Sequence, residues 1–258
     1  MPPRDASGTA SPAPELDSDK PRPLLEHLEE LRLRIIYSII YLVLGSIAGF
    51  FITDWFLFRL LLTPIASIPG ISLQVLGPTD KLMAYFRASF IAGVALAVPF
   101  IMHQVWLFLR PGLRRSERRL LAGLVPTSLI LFVAGAAFVF FVLIPPALMF
   151  LNRFLPDTGG VRIETRLSLD QYFAFVLYLV LAGGLVFQMP LITWFLARLG
   201  VVTYKWMARN RKFAILGAAI LGAVVTPTGD PFNMALLSVP IYALYEISIA
   251  VAALAGRR

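Results

Sequence analysis

The chain has 258 residues, 58% of them hydrophobic and only 15% charged, with a mean hydropathy of +0.78, a composition too apolar for an ordinary soluble domain. Its formal net charge is +8, but Lys and Arg fall in short segments between long uncharged runs, which fits orientation against an anionic membrane leaflet and not a nucleic-acid groove. With no cysteine, disulfides, thiol chemistry and cysteine–metal sites are excluded.

Residues 1–23 contain six prolines and no apolar core, so they read as a disordered cytoplasmic tail and not as a cleaved leader; the membrane domain is expected over 24–256. Next, Leu24, Leu28, Leu31 and Ile35 recur at spacings of four, three and four, which predicts a surface-lying helix ahead of the first span. His27, Glu30 and Arg34 lie on another face, where Glu30 and Arg34 are spaced for an i,i+4 pair on a solvated surface.

A helix needs about 20 apolar residues to cross the hydrocarbon. Six segments are assigned as spans: 35–53, 88–109, 120–144 (stopped by Pro145-Pro146), 171–197, 213–225 and 232–255. The fifth is short, rising only ~20 Å. Residues 60–79 are also uncharged, but they carry Pro64, Pro69, Gly70, Gly77 and Pro78 and are expected to form a loop over the bundle on the exported side. Counting that run as a seventh span would put the five arginines of 110–119 outside, against the positive-inside bias. Both termini are therefore expected in the cytoplasm.

Several residues stand out. Glu117 is the only acid among the arginines of 110–119, where it either neutralises neighbours or does something more. Arg87, Gln104, Gln188 and Glu246 are polar groups within or near spans and are functional candidates on that ground, although Arg87 and Glu246 lie close enough to span ends to snorkel outward. Gln188 stands two residues before Pro190, which frees carbonyls one turn earlier; the amide is expected to bond a neighbouring helix or its own helix. If hydrogen bonding is its role, Gln188→Glu is expected to be tolerated and Gln188→Leu is not. Asp230, in the turn 226–230, is placed to cap the last helix. Gly45 and Gly49 have the spacing of a close helix-packing motif. No catalytic cluster, metal-ligand set or phosphate loop is visible, and no cofactor is expected.

Taken in order, these pieces resemble the TatC family, the receptor subunit of the twin-arginine protein translocase. The matching motifs are His-Leu-Glu-Glu-Leu-Arg-Leu-Arg at 27–34, Pro99 with Gln-Val-Trp-Leu-Phe at 104–108 and Pro111, Ser-Glu-Arg-Arg-Leu at 116–120, Thr-Pro-Thr-Gly-Asp-Pro at 226–231, and Tyr-Glu-Ile at 245–247. The resemblance implies an all-α, polytopic bundle of six transmembrane helices, with short fifth and sixth spans and a concave, glove-like shape. It implies binding of twin-arginine signal peptides on folded cargo at Glu30 and Glu117, with Leu28, Arg32, Arg34, Gln104, Phe108 and Arg118 around them. It implies partner or structural roles for Pro64, Pro99, Gln188, Pro190, Asp230 and Glu246. It also implies single-span TatA- and TatB-type partners, self-association, lipid contact, no nucleic acid, proton-motive-force-driven export and a bacterial inner-membrane location. Many family members carry Glu before the fourth-span proline, where this chain has Gln188. A solute transporter lined by Arg87, Gln188 and Glu246 is the main rival, and a membrane enzyme a distant third.

Overall fold

The computed structural model describes residues 24–53, 55–66, 68–69, 71–109, 120–153, 165–226 and 229–256. The tail 1–23 and the loop 110–119, with Glu117 and Arg118, lie outside them. Among the described residues, ten α-helices and two short strands follow in the order α1 (Leu24–Ile52), α2 (Trp55–Ala66), β1 (Ile71–Gln74), α3 (Asp80–Leu109), α4 (Leu120–Phe138), a π turn (Val139–Leu143), α5 (Ile144–Arg153), β2 (Thr165–Ser168), α6 (Leu169–Val186), α7 (Met189–Arg198), α8 (Tyr204–Arg209), α9 (Arg211–Val225) and α10 (Pro231–Ala255).

Among the described residues, five segments are long and apolar enough to cross a membrane: Glu26–Ile52, Asp80–Phe108, Gly123–Arg153, Leu169–Arg198 and Pro231–Ala255. The expected fifth span, α9, has 15 residues and rises about 22 Å. It is short, as expected, whereas α10, expected to be short too, runs for 25 residues around Pro240. The helices alternate in direction, so α1, α4 and α9 begin, and α3, α7 and α10 end, on what is called here the near side.

Four elements differ from the sequence expectation. The segment 24–34 is not a separate surface helix: α1 continues through Ile35 for 29 residues, because its polar face finds partners on α3 and nothing forces a break. The run 60–79 is not a bare loop. Its first part belongs to the 12-residue α2, too short to span, and its middle forms β1. Pro64 is tolerated near the end of α2 because the Leu60 carbonyl, deprived of its backbone donor, accepts from Thr63 Oγ1 at 2.7 Å. The third span does not stop at Pro145-Pro146. The prolines fall in the first turn of α5, and the wider π turn before it gives their rings room, with the Ile144 amide reaching back to the Val139 carbonyl. The fourth span is broken at Phe187 and Gln188 because Pro190 has no N–H to continue the ladder.

β1 pairs with β2 in parallel, from Ile71 opposite Thr165 to Gln74 opposite Ser168, on the far side. The main core lies toward that side as well. It centres on fully buried Phe173, Ile144, Val139 and Val176, and Phe58 of α2 stacks on Phe173 with centroids 4.7 Å apart. A smaller cluster of Trp106, Leu124, Leu191 and Phe195 joins α3, α4 and α7 nearer the opposite end.

α1 packs along α3 as an antiparallel zipper. The glycines are needed here: a Cβ on Gly45 would stand 2.6 Å from the Gly93 carbonyl oxygen, and one on Gly93 2.8 Å from the Gly45 carbonyl oxygen. Both are closer than real Cβ contacts come, so the backbones touch only because neither residue has a side chain. The rest of α1, including Ile36, Ile40, Val43 and Leu44, is apolar and exposed, as a lipid-facing surface must be.

Candidate functional site

The near end of the α1–α3 zipper collects polar and aromatic side chains. On α1, His27, Glu30 and Arg34 share one face by their spacing of three and four. On α3, Gln104 and Phe108 are one turn apart. Because the helices run antiparallel, the start of α1 meets the end of α3. The His27 ring stacks on Phe108, with centroids 4.4 Å apart and planes 16° from parallel. Arg34 Nη1 donates to Gln104 Oε1 at 3.0 Å, and Nη2 donates to Glu30 Oε1 at 3.1 Å. Arg34 thus ties the carboxylate of Glu30 to the neighbouring helix. The Glu30 side chain keeps 17% of its surface exposed and that of Arg34 26%, while Gln104 is buried. The Arg34 Nε is buried with no acceptor. The arrangement holds a partly accessible carboxylate in place with a guanidinium, the group that matches a carboxylate best.

The structure therefore brings together Glu30, Arg34, Gln104 and Phe108, and adds His27. It does not bring in Leu28, which is 60% exposed, or Arg32, which is also exposed; both point away from α3. Glu117 and Arg118 are outside the described residues, in the loop that follows α3 directly. Pro99 lies within α3, between the zipper glycine Gly93 and the site.

The remaining candidates are elsewhere and have partners of their own. Arg87 of α3 forms a 3.3 Å ion pair with Asp170 and donates to the Asp170 carbonyl at 3.0 Å, so it joins α3 to α6. Glu246 of α10 pairs with Arg211 of α9 at 2.8 Å and accepts from the Tyr242 hydroxyl at 2.6 Å. Neither side chain snorkels unpartnered. Asp230 caps α10, accepting from the Asn233 amide at 2.8 Å after Gly229 turns the chain at φ 61°. Pro64 is buried in α2 and Pro190 is buried at the second position of α7.

Gln188 is 3% exposed, in the break between α6 and α7. Its backbone amide goes to the Leu185 carbonyl, which leaves the Gly184 carbonyl available. Nε2 makes a long 3.5 Å contact to that oxygen and a 2.9 Å bond to the Ser128 carbonyl of α4. Both atoms facing the amide nitrogen are acceptors, so the NH2 is what the site requires. Oε1 is buried without a partner. This geometry reverses the order of substitutions expected from sequence. Leucine loses one interhelical bond, averaging ~0.6 kcal/mol, and relieves an unsatisfied oxygen, so Gln188→Leu is expected to cost less than ~1 kcal/mol. In Gln188→Glu the carboxyl reproduces the bond only when protonated. Melting of the purified variants should rank Glu below Leu at pH 8. A glutamate variant as stable as wild type at pH 8 would contradict the donor role.

Sequence reasoning paired Glu30 with Arg34 by spacing but did not link Arg34 to Gln104, and it missed Asp170 and Arg211 as partners. The one available clue was an unpaired opposite charge at a helix end.

The Sec-independent protein translocase protein (TatC) family profile matches residues 26–240. The chain is 37% identical over 234 residues to the Sec-independent protein translocase protein TatC of Carboxydothermus hydrogenoformans, covering 91% of this chain and 94% of that protein. It is 38% identical over 239 residues to the TatC of Aquifex aeolicus, covering 92% and 97%. A crystal structure described as the twin arginine translocase receptor TatC superposes with a TM-score of 0.79 at 38% identity, over 90% of this chain and all of that one.

Proposed function

The chain belongs to the TatC family of Sec-independent protein translocase proteins, a family of translocase receptor components and not of enzymes, and from that premise we propose that its near side docks signal peptides bearing paired arginines. Glu30 and Glu117 receive the guanidinium groups; Arg34, Gln104 and Phe108 surround Glu30, and Leu28, Arg32 and Arg118 belong to the wider docking face. The observation that carries the reading is the half-sheltered Glu30 carboxylate, fixed by Arg34 and Gln104 at the mouth of the α1–α3 zipper. A carboxylate offers two oxygens to the forked donors of arginine, a match lysine makes less well.

On this reading the protein is a multi-pass protein of a bacterial inner membrane with both termini in the cytoplasm. It works with TatA- and TatB-type single-span partners, associates with itself, and passes folded cargo across at the expense of the proton-motive force. Gln188, Pro190 and Pro99 shape the helices, and Gln188 performs no proton transfer, since an amide does not titrate. The transporter alternative gains nothing from the geometry, because Arg87, Gln188 and Glu246 are engaged by three different helix neighbours.

The test is export of a twin-arginine reporter in a bacterial strain lacking its own receptor. The chain, supplied with its TatA- and TatB-type partners, is expected to restore export to a reporter with paired arginines and not to the same reporter with paired lysines. The cysteine-free sequence allows topology to be read in the same cells. A cysteine at Ser72 should react with an impermeant thiol reagent from outside. No export, or no reaction at Ser72, would overturn the corresponding part of the proposal.

A further inference from the structure

We propose that Arg34 is a resident stand-in for the ligand's arginine, and that a signal peptide binds by displacing it from Glu30; this rests on the docking reading above. Arg34 reaches Glu30 through one nitrogen and one oxygen, Nη2 to Oε1 at 3.1 Å. Its other terminal nitrogen is held separately by Gln104 Oε1 at 3.0 Å, and its Nε, buried, has no acceptor. The guanidinium is therefore shared between two helices, and it makes a single-point contact to the carboxylate where an arginine can make two parallel bonds.

An arriving guanidinium that engages the carboxylate bidentately replaces a weaker contact of the same kind. Arg34 need not lose its place when it lets go, since Gln104 still holds Nη1. The exchange costs the ligand a constant amount whatever the ligand is. An arginine with a fork geometry repays it, whereas a lysine ammonium, a point donor with a stronger hydration shell, repays less. The internal pair thus raises the threshold for every peptide by the same factor: an arginine peptide clears it with affinity to spare, and a lysine peptide does not. In this role Arg34 sets the affinity threshold of the site; it does not contact the Glu30 carboxylate in the occupied state.

The alternative is that Arg34 merely positions Glu30. The two roles predict opposite signs. Titration of the purified full-length protein in nanodiscs with a labelled signal peptide carrying paired arginines, and with its paired-lysine counterpart, separates them. If Arg34 is a competitor, Arg34→Gln should tighten binding of the arginine peptide about two- to fivefold, the range set by loss of a partly exposed ion pair. It should tighten the lysine peptide by the same factor, leaving the ratio between the two unchanged. Arg34→Lys, which keeps the charge but cannot span Glu30 and Gln104 together, should fall between wild type and Arg34→Gln, and it gives the reading if the glutamine variant does not fold. Unchanged or weaker binding of both peptides in these variants would overturn the proposal. Glu30→Gln in the otherwise wild-type chain tells that failure apart from failure of the site: if it leaves binding intact, the peptide docks elsewhere; if it removes binding while Arg34→Gln weakens it, the site stands and the stand-in role does not.

Discussion

Glu30→Gln is expected to abolish productive docking of twin-arginine peptides while the protein still folds and inserts. The substitution is nearly isosteric. The new amide can still accept from Arg34 Nη2, so the tie to Gln104 and the His27–Phe108 stack survive. What disappears is the negative charge. A charge-assisted hydrogen bond contributes about 1.5–3 kcal/mol, so affinity should fall about ten- to a hundredfold. Export depends on docking, so a reporter should accumulate in the cytoplasm to the same degree. Peptide titration against the purified variant, with a melting curve as the control for folding, gives the answer. Wild-type affinity in a folded Glu30→Gln protein would remove Glu30 from the site.

Gly93→Leu is expected to have the larger effect on the protein itself. Between Gly45 and Gly93 the two backbones are already at contact, and the atoms that a Cβ on Gly93 would strike are main-chain ones, Ser46 Cα and N and the Gly45 carbonyl oxygen, which cannot rotate out of the way. Overpacking typically costs 1–3 kcal/mol where neighbours can shift, and here relief requires α1 to move bodily away from α3. About 3 kcal/mol or more is expected, which is a large share of the margin of a folded protein. Among the described residues α1 packs chiefly on α3, so little else retains it. Sedimentation and protease resistance of Gly93→Leu in membranes should show α1 released or the chain degraded. Peptide binding should fail in parallel, although Gly93 is about 16 Å along α3 from Gln104. Full accumulation with normal binding would show that the zipper does not set the geometry of Glu30.

Legibility in the sequence followed the range of the interaction. Apolar runs announced the spans, the 13-residue run at 213–225 announced a short fifth span, and the Thr-Pro-Thr-Gly-Asp turn announced the Asp230 cap; each is a local pattern. Pro145-Pro146 was read as a stop because two missing donors end an ordinary α-helix; a wider π turn absorbed them instead, and nothing local marks such a turn. The α2 helix was hidden by Pro64, whose cost is offset by a single hydroxyl three residues after the carbonyl it serves. β1 was invisible because four residues carry no periodicity to speak of and their partner strand is remote. In the site, the face bearing Glu30 and Arg34 was plain from spacing, but Gln104 lies 70 residues from Arg34 and Asp170 lies 83 from Arg87, and no rule of spacing pairs side chains at that range.

The parallel strand pair also sets an order of events during synthesis. Ile71 and Thr165 are opposite each other yet 94 positions apart, since 165 minus 71 is 94. At about 5–20 residues per second, a ribosome needs roughly 5–20 seconds to make what lies between them. β1 must therefore emerge on the far side and wait, unpaired, while α3, α4 and α5 are made and inserted. A waiting edge invites the wrong neighbour. With only four residues, β1 offers too short a template to capture one firmly, and the far side closes only when the second hairpin of the bundle delivers β2.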